Sequence, residues 1–101
     1  MINMISPKKI HALAVEKGWY DKDRPIPELL CLIHSEISEA LEAYRNGVKE
    51  GEKGCMSEEL ADAIIRIFDM SEALGINIVK AVNKKHKYNK TRPYRHGNKK
   101  C

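Results

Sequence analysis

The chain has 101 residues, is 43% hydrophobic and 32% charged, and carries a formal net charge of +4 at pH 7. A chain of about 100 residues forms one domain with a thin core, burying roughly 60–65% of its unfolded surface unless copies associate. The composition excludes a disordered chain, no stretch approaches the roughly 20 apolar residues of a membrane span, and no secretory leader follows the initial MINMI. Cys31, Cys55 and Cys101 are odd in number and lack metal-ligand spacing, which suits reduced thiols in a cytoplasmic protein. The charge is unevenly placed. Residues 80–101 hold half of the 18 Lys and Arg and none of the 14 Asp and Glu. A basic segment on an acidic body suits nucleic acid or solubility, and equally a metal-bound polyphosphate.

Taken in order, the elements read as four helices and no strand, in a single domain over 1–101 with a basic, flexible tail from about residue 93. Ser6-Pro7 starts helix 1, a cap followed by proline at the first position, and Ile10, Leu13 and Ala14 carry it to Gly18. WYDKDRPIP is a connector, and Pro25 or Pro27 opens helix 2. Leu30, Ile33, Ile37, Leu41 and Tyr44 repeat at steps of three and four, an amphipathic stripe that stops near Asn46-Gly47. NGVKEGEKG is a mobile loop. Ser57 is expected to cap helix 3, with Leu60, Ile64, Ile67, Ser71 and Leu74 facing inward and Gly75 closing it. Helix 4 begins near Ile76 and ends at about Thr91, before Pro93. Short links between helices predict an antiparallel bundle.

Two helices carry acids where a plain amphipathic helix would not. On a 100° wheel Glu36 lies about 80° and Glu39 about 140° from the centre of the helix 2 stripe. Leu32 and Ala43 flank them, which marks a second packed surface rather than a solvent face. Glu59 and Asp62 repeat the acid-x-x-acid spacing at the border of the helix 3 stripe. If the two helices pack together, four carboxylates converge, and like charges at that range either protonate or hold a cation. Oxygen donors without His or Cys favour a hard ion, Mg²⁺ or Mn²⁺. Di-iron carboxylate bundles carry Glu-x-x-His on two helices, and this chain has no Glu at that offset from a His.

Helix 4 carries the opposite charge. Its inner face runs Ile78, Ala81, Val82 and continues on the same side with Lys85, Asn89 and Arg92, at i, i+4 and i+7. Two cations in line with an amide donor form a phosphate cradle.

The run L-x-x-E-x-x-E-A-x-E in helix 2, EELAD opening helix 3, and K-x-x-x-N-x-x-R-P late in helix 4 together resemble the MazG-like family of all-α nucleoside triphosphate pyrophosphohydrolases, over about residues 25–95. The resemblance implies Mg²⁺-dependent cleavage of an NTP or dNTP between the α and β phosphates, giving NMP and pyrophosphate. It implies Glu36, Glu39, Glu59 and Asp62 as metal ligands. Lys85, Asn89 and Arg92 would bind the phosphates, with Lys85 also stabilising the transition state and Glu39 accepting the proton of the attacking water. Several family members have an aromatic residue four places after the Asp. Here Arg66 stands there, expected either in an ion pair with Asp62 or Asp69 or as an extra phosphate contact. Trp19, Tyr20 and His34 are candidates for a base pocket, with Trp19 equally suited to packing at a helix end.

Ile65 and Phe68 fall outside the inner stripe of helix 3, and apolar residues so placed mark an interface. The resembled family forms dimers, sometimes paired into tetramers, with the nucleotide pocket built partly from the neighbouring subunit. A homodimer that completes the bundle is therefore expected, with a nucleoside triphosphate as substrate and no membrane partner. The rival reading is a non-catalytic helical module binding nucleic acid or a protein through its basic C-terminal segment. Only Tyr88 and Tyr94 interleave those cations, a poor stacking platform for nucleic acid.

Overall fold

The computed structural model describes residues 5–94, so the basic tail beyond Tyr94, including Cys101, lies outside the described residues. Among these, four helices and no strand are present: α1 Pro7–Glu16, α2 Ile26–Arg45, α3 Met56–Ala73 and α4 Ile78–Thr91. None is long and apolar enough to cross a membrane.

Local chemistry accounts for most boundaries. The Ser6 hydroxyl accepts from the Lys9 amide at 3.2 Å and Pro7 begins α1. Gly18 follows with φ +86°, a left-handed conformation that selects glycine. Pro25 sets the start of α2 and Asn46 ends it. Two boundaries differ from the sequence expectation. Cys55, not Ser57, takes the cap position of α3, with no side-chain cap, because the Ser57 hydroxyl turns instead to the Glu50 carboxylate. Helix α4 starts at Ile78 rather than Ile76, since the Asn77 side chain accepts from the Lys80 amide at 3.1 Å and fixes the first turn there.

The main contacts run between α2 and α3 and between α1 and α3, while α4 meets α3 sparingly and buries none of its residues. The face that α2 turns inward is not its large apolar stripe. Leu29, Glu36, Ala40 and Ala43 are buried, whereas Leu30, Ile37, Leu41 and Tyr44 are exposed. On α3, Ala63, Asp69 and Ser71 are buried, while Leu60, Ile64 and Leu74 are exposed and Ile67 is half-buried. Val79 and Val82 of α4 are exposed as well. Ser71, expected inward, is buried, and Ile33, Ile67 and Ile78 are half-buried, but the rest of the inner stripes expected for these helices lies on the outside of a single chain. Small residues at Ala40, Ala43 and Ala63 let α2 and α3 approach closely on the other face.

The buried apolar set is correspondingly short: Ile10, Leu29, Ala40, Ala43, Cys55 and Ala63. The radius of gyration is 16.3 Å, against about 13 Å for a compact domain of 100 residues. One copy does not close around its own apolar surface.

Candidate metal centre

The inward face of α2 carries Glu36 into the contact with α3, where it is 6% exposed. There it meets Glu59 and Asp62, which stand three residues apart on the first turns of α3. One carboxylate oxygen from each of Glu36, Glu59 and Asp62 lies within 4.8 Å of the others. Glu39, one turn further along α2, is exposed and makes hydrogen-bonding contact with Glu36 and Glu59. Two helices thus bring the four acids of both acid-x-x-acid pairs to one groove. Glu42, the third acid of the helix 2 series, is exposed to solvent.

Their electrostatics are those of a crowded site. Burial alone would push the Glu36 carboxyl up. The hydrogen bond from Arg66, contacts to Glu39 and Glu59 and the guanidinium charge outweigh it and hold Glu36 below the usual carboxylate range. Glu39 moves the other way, raised by its hydrogen bond to Glu36 and by the charge there. Glu59 is also raised, first by desolvation and then by the charges of Glu39, Asp62 and Glu36. A carboxyl whose folded pKa is raised supports the fold below its unfolded value and loses that support as pH rises. Glu59→Gln should therefore raise the melting temperature of the chelator-treated protein at pH 7. The gain should vanish at about pH 3, well below the ordinary glutamate value of about 4.3, where Glu59 is protonated in both states; thermal melts at the two pH values check this.

Beside the groove opens a cavity of about 730 Å³, lined by Leu13, Trp19, Glu36, Asp62, Ile65 and Arg66 among others. Small-molecule sites run to about 300–1,000 Å³ with apolar walls and a few convergent polar groups. The Arg24 guanidinium stands 4.0 Å from the centre of the Trp19 ring and that of Arg66 5.1 Å. Arg24 is tied down by its Nε–H to the Trp19 carbonyl at 2.9 Å and by Glu28 at 3.5 Å. Trp19 accordingly lines the cavity, whereas Tyr20 and His34 do not.

Arg66 corrects the sequence reading. It pairs with neither Asp62 nor Asp69 but with Glu36 across the helix contact, Nε to Oε1 at 2.8 Å. The reason lies in Asp69, whose buried carboxylate already accepts from His11 Nδ1 at 2.8 Å and from the Tyr20 hydroxyl at 2.7 Å. His11 and Tyr20 also meet edge to face at 5.0 Å. Burial and Asp69 together push the Tyr20 hydroxyl far above its ordinary pKa, so it stays a donor. These three residues tie α1 and the connector to α3, and single-residue patterns missed them. The signal was there in Glu59, Asp62, Arg66 and Asp69, a polar stripe at steps of three and four. Asp69→Ala removes both hydrogen bonds and should cost about 2–3 kcal/mol in urea unfolding, against about 1 kcal/mol for Tyr20→Phe.

Lys85 and Asn89 stand on α4 and Arg92 just past its end, where the backbone is already extended rather than helical as expected; none of the three lines the groove or the cavity of its own chain. Lys85 Nζ is 4.8 Å and the Arg92 guanidinium 5.8 Å from the centre of the Tyr88 ring, so the two cations flank one aromatic side chain.

Compared with known proteins, the chain matches no family model, no curated protein and no solved structure.

Proposed function

We propose that this protein is a Mg²⁺-dependent nucleoside triphosphate pyrophosphohydrolase, cleaving an NTP or dNTP to NMP and pyrophosphate. The observation that supports it most is the meeting of Glu36, Glu59 and Asp62 within 4.8 Å, from two helices and beside a cavity. The donor set fits the ion: all oxygens, no His or Cys, with Glu39 alongside. When bound, Mg²⁺ (or Mn²⁺) would neutralise phosphate oxygens and activate water.

The remaining work falls to the chain. Glu36, Glu59 and Asp62 hold the ion. Glu39 is exposed, and its neighbours raise its proton affinity, which suits the acceptor of the water's proton. The cavity with Trp19 receives the nucleoside. Lys85, Asn89 and Arg92 bind the phosphates, and Lys85 stabilises the charge that develops on the departing pyrophosphate. Because α4 stands away from its own groove, these three serve the groove of a neighbouring copy. The exposed stripe of Leu30, Ile37, Leu41, Leu60 and Ile64 is the surface for that two-fold contact, completing an antiparallel bundle. A cytoplasmic location follows from this activity.

The test is incubation with a panel of NTPs and dNTPs and Mg²⁺, with NMP and pyrophosphate resolved chromatographically. At least one nucleotide should yield equimolar NMP and pyrophosphate, and nothing without the metal. The rival reading has one observation of its own, since Lys80, Lys84, Lys85, Lys87 and Lys90 on α4 are all exposed. No turnover of any nucleotide, together with steeply salt-dependent binding to DNA or RNA, would favour that non-catalytic module.

A further inference from the structure

Within the groove, Arg66 pairs across the helix contact with Glu36 rather than with an acid of its own helix. It is 30% exposed, its Nε–H is held by Glu36 at 2.8 Å, and its guanidinium rests 5.1 Å from the Trp19 ring. It is therefore shared between the carboxylate cluster and the cavity wall. Its neighbour Arg24 is bound to the Trp19 carbonyl and to Glu28, whereas Arg66 has Glu36 and the indole as its polar and aromatic contacts. Asp69, the acid one turn along, is taken by His11 and Tyr20.

We propose that Arg66 is a resident cation of the acidic groove, seated on Glu36 until a divalent ion displaces it, and that its departure removes its contact with Trp19 in the adjoining cavity while Arg24 stays 4.0 Å from the ring. This rests on the metal-binding reading above and adds a regulation to it. Four converging carboxylates must take up protons or keep positive charge nearby. A guanidinium attached to α3 supplies one unit of it when no metal is bound. A dication brings two units to the same oxygens and competes for Glu36. Once released, the guanidinium loses the contact that holds it near Trp19, so metal occupancy and access to the indole face change together. The cavity is already about 730 Å³ with Arg66 seated, and the release of Arg66 frees more of the indole for an aromatic ligand, so metal entry favours nucleoside binding.

The full-length chain tests this directly, because Trp19 is its single tryptophan. Mg²⁺ is titrated into wild type, Arg66→Gln and Arg66→Lys, followed by calorimetry and by Trp19 emission. Wild type should show an emission change that saturates with the calorimetric binding curve. Arg66→Gln should bind Mg²⁺ about tenfold tighter, equivalent to about 1.4 kcal/mol, without the emission step. Arg66→Lys keeps the competing charge and should bind as wild type does. Equal or weaker binding by Arg66→Gln, with wild type still binding, overturns the proposal and leaves the metal site standing. If Arg66→Gln does not fold, wild type alone decides: Mg²⁺ binding in the calorimeter with unmoved Trp19 emission overturns the proposal. Failure of every variant to bind Mg²⁺ sinks both this inference and the function proposed above.

Discussion

Asp62→Asn is expected to lower pyrophosphate release by about 10³-fold while leaving helix content near wild type and the melting temperature no lower than wild type, and Glu39→Gln to do the same. Both side chains are exposed, so neither substitution opens a cavity or strands a buried donor. Each keeps the shape of the side chain and removes one unit of charge from the groove. A loss of turnover therefore cannot be attributed to packing. The two variants should nevertheless separate in the calorimeter. Asp62→Asn removes a member of the tight oxygen triad and should abolish Mg²⁺ binding; Glu39→Gln should weaken it less, since Glu39 stands at the margin and its main task is the proton. Glu42→Gln, on the same helix but out in solvent, is the control and should change nothing. Turnover by Asp62→Asn within a factor of two of wild type would mean that the groove is not where the chemistry happens.

How far the sequence foretold this site depends on which residue is asked about. The two acid-x-x-acid pairs were legible because spacing on a helix is rigid: Glu36 and Glu39, like Glu59 and Asp62, had to share a face. That Leu32 and Ala43 flank the helix 2 pair marked that face as packed, and it is the face that meets α3. The helix ends were legible where a single side chain decides them, as at Ser6 and Gly75, and less so where two polar side chains compete. Ser57 could cap α3 or bind Glu50, and only the three-dimensional path of the 46–55 loop settles which. Arg66 was misread for a similar reason. Its neighbours along the helix, Asp62 and Asp69, were the obvious partners, but His11 and Tyr20 come from 58 and 49 residues away to claim Asp69. No local rule reaches that distance.

The largest departure concerns the apolar stripes, and it has a physical origin. Hydrophobic periodicity reports which residues avoid water, not which molecule keeps the water away. In one chain Ile37 is 50% exposed, Leu41 49% and Ile64 52%, while alanines and a glutamate fill the interior of the α2–α3 contact. Covering the exposed half of each such side chain is worth about 0.7–1.5 kcal/mol, half the value of burying it fully, so a stripe of five contributes several kcal/mol to an association. On the proposed two-fold contact, the strongest signal in the sequence describes an association between copies, and the weaker, mixed face describes the fold of each copy.

That association makes the second large prediction. Ile37→Glu combined with Ile64→Glu should convert the assembly to monomer by sedimentation analysis and reduce turnover by at least about 10²-fold, because a monomer offers its acids no α4 cations. A mixing experiment separates loss of the site from loss of stability. Asp62→Asn and Lys85→Ala each disable a different part of the same composite site, so each homodimer should be inactive. If the groove of one copy is served by α4 of the other, a mixed dimer has one site with both lesions and one with neither. Equal mixing and reassortment yield about half mixed dimers, each half active, so about one quarter of wild-type turnover should return. If acids and cations instead work within one chain, each copy carries its own lesion and mixing restores nothing. Recovery near one quarter, rising with time of subunit exchange, is the expected result; a flat baseline with confirmed exchange places the phosphate cradle elsewhere.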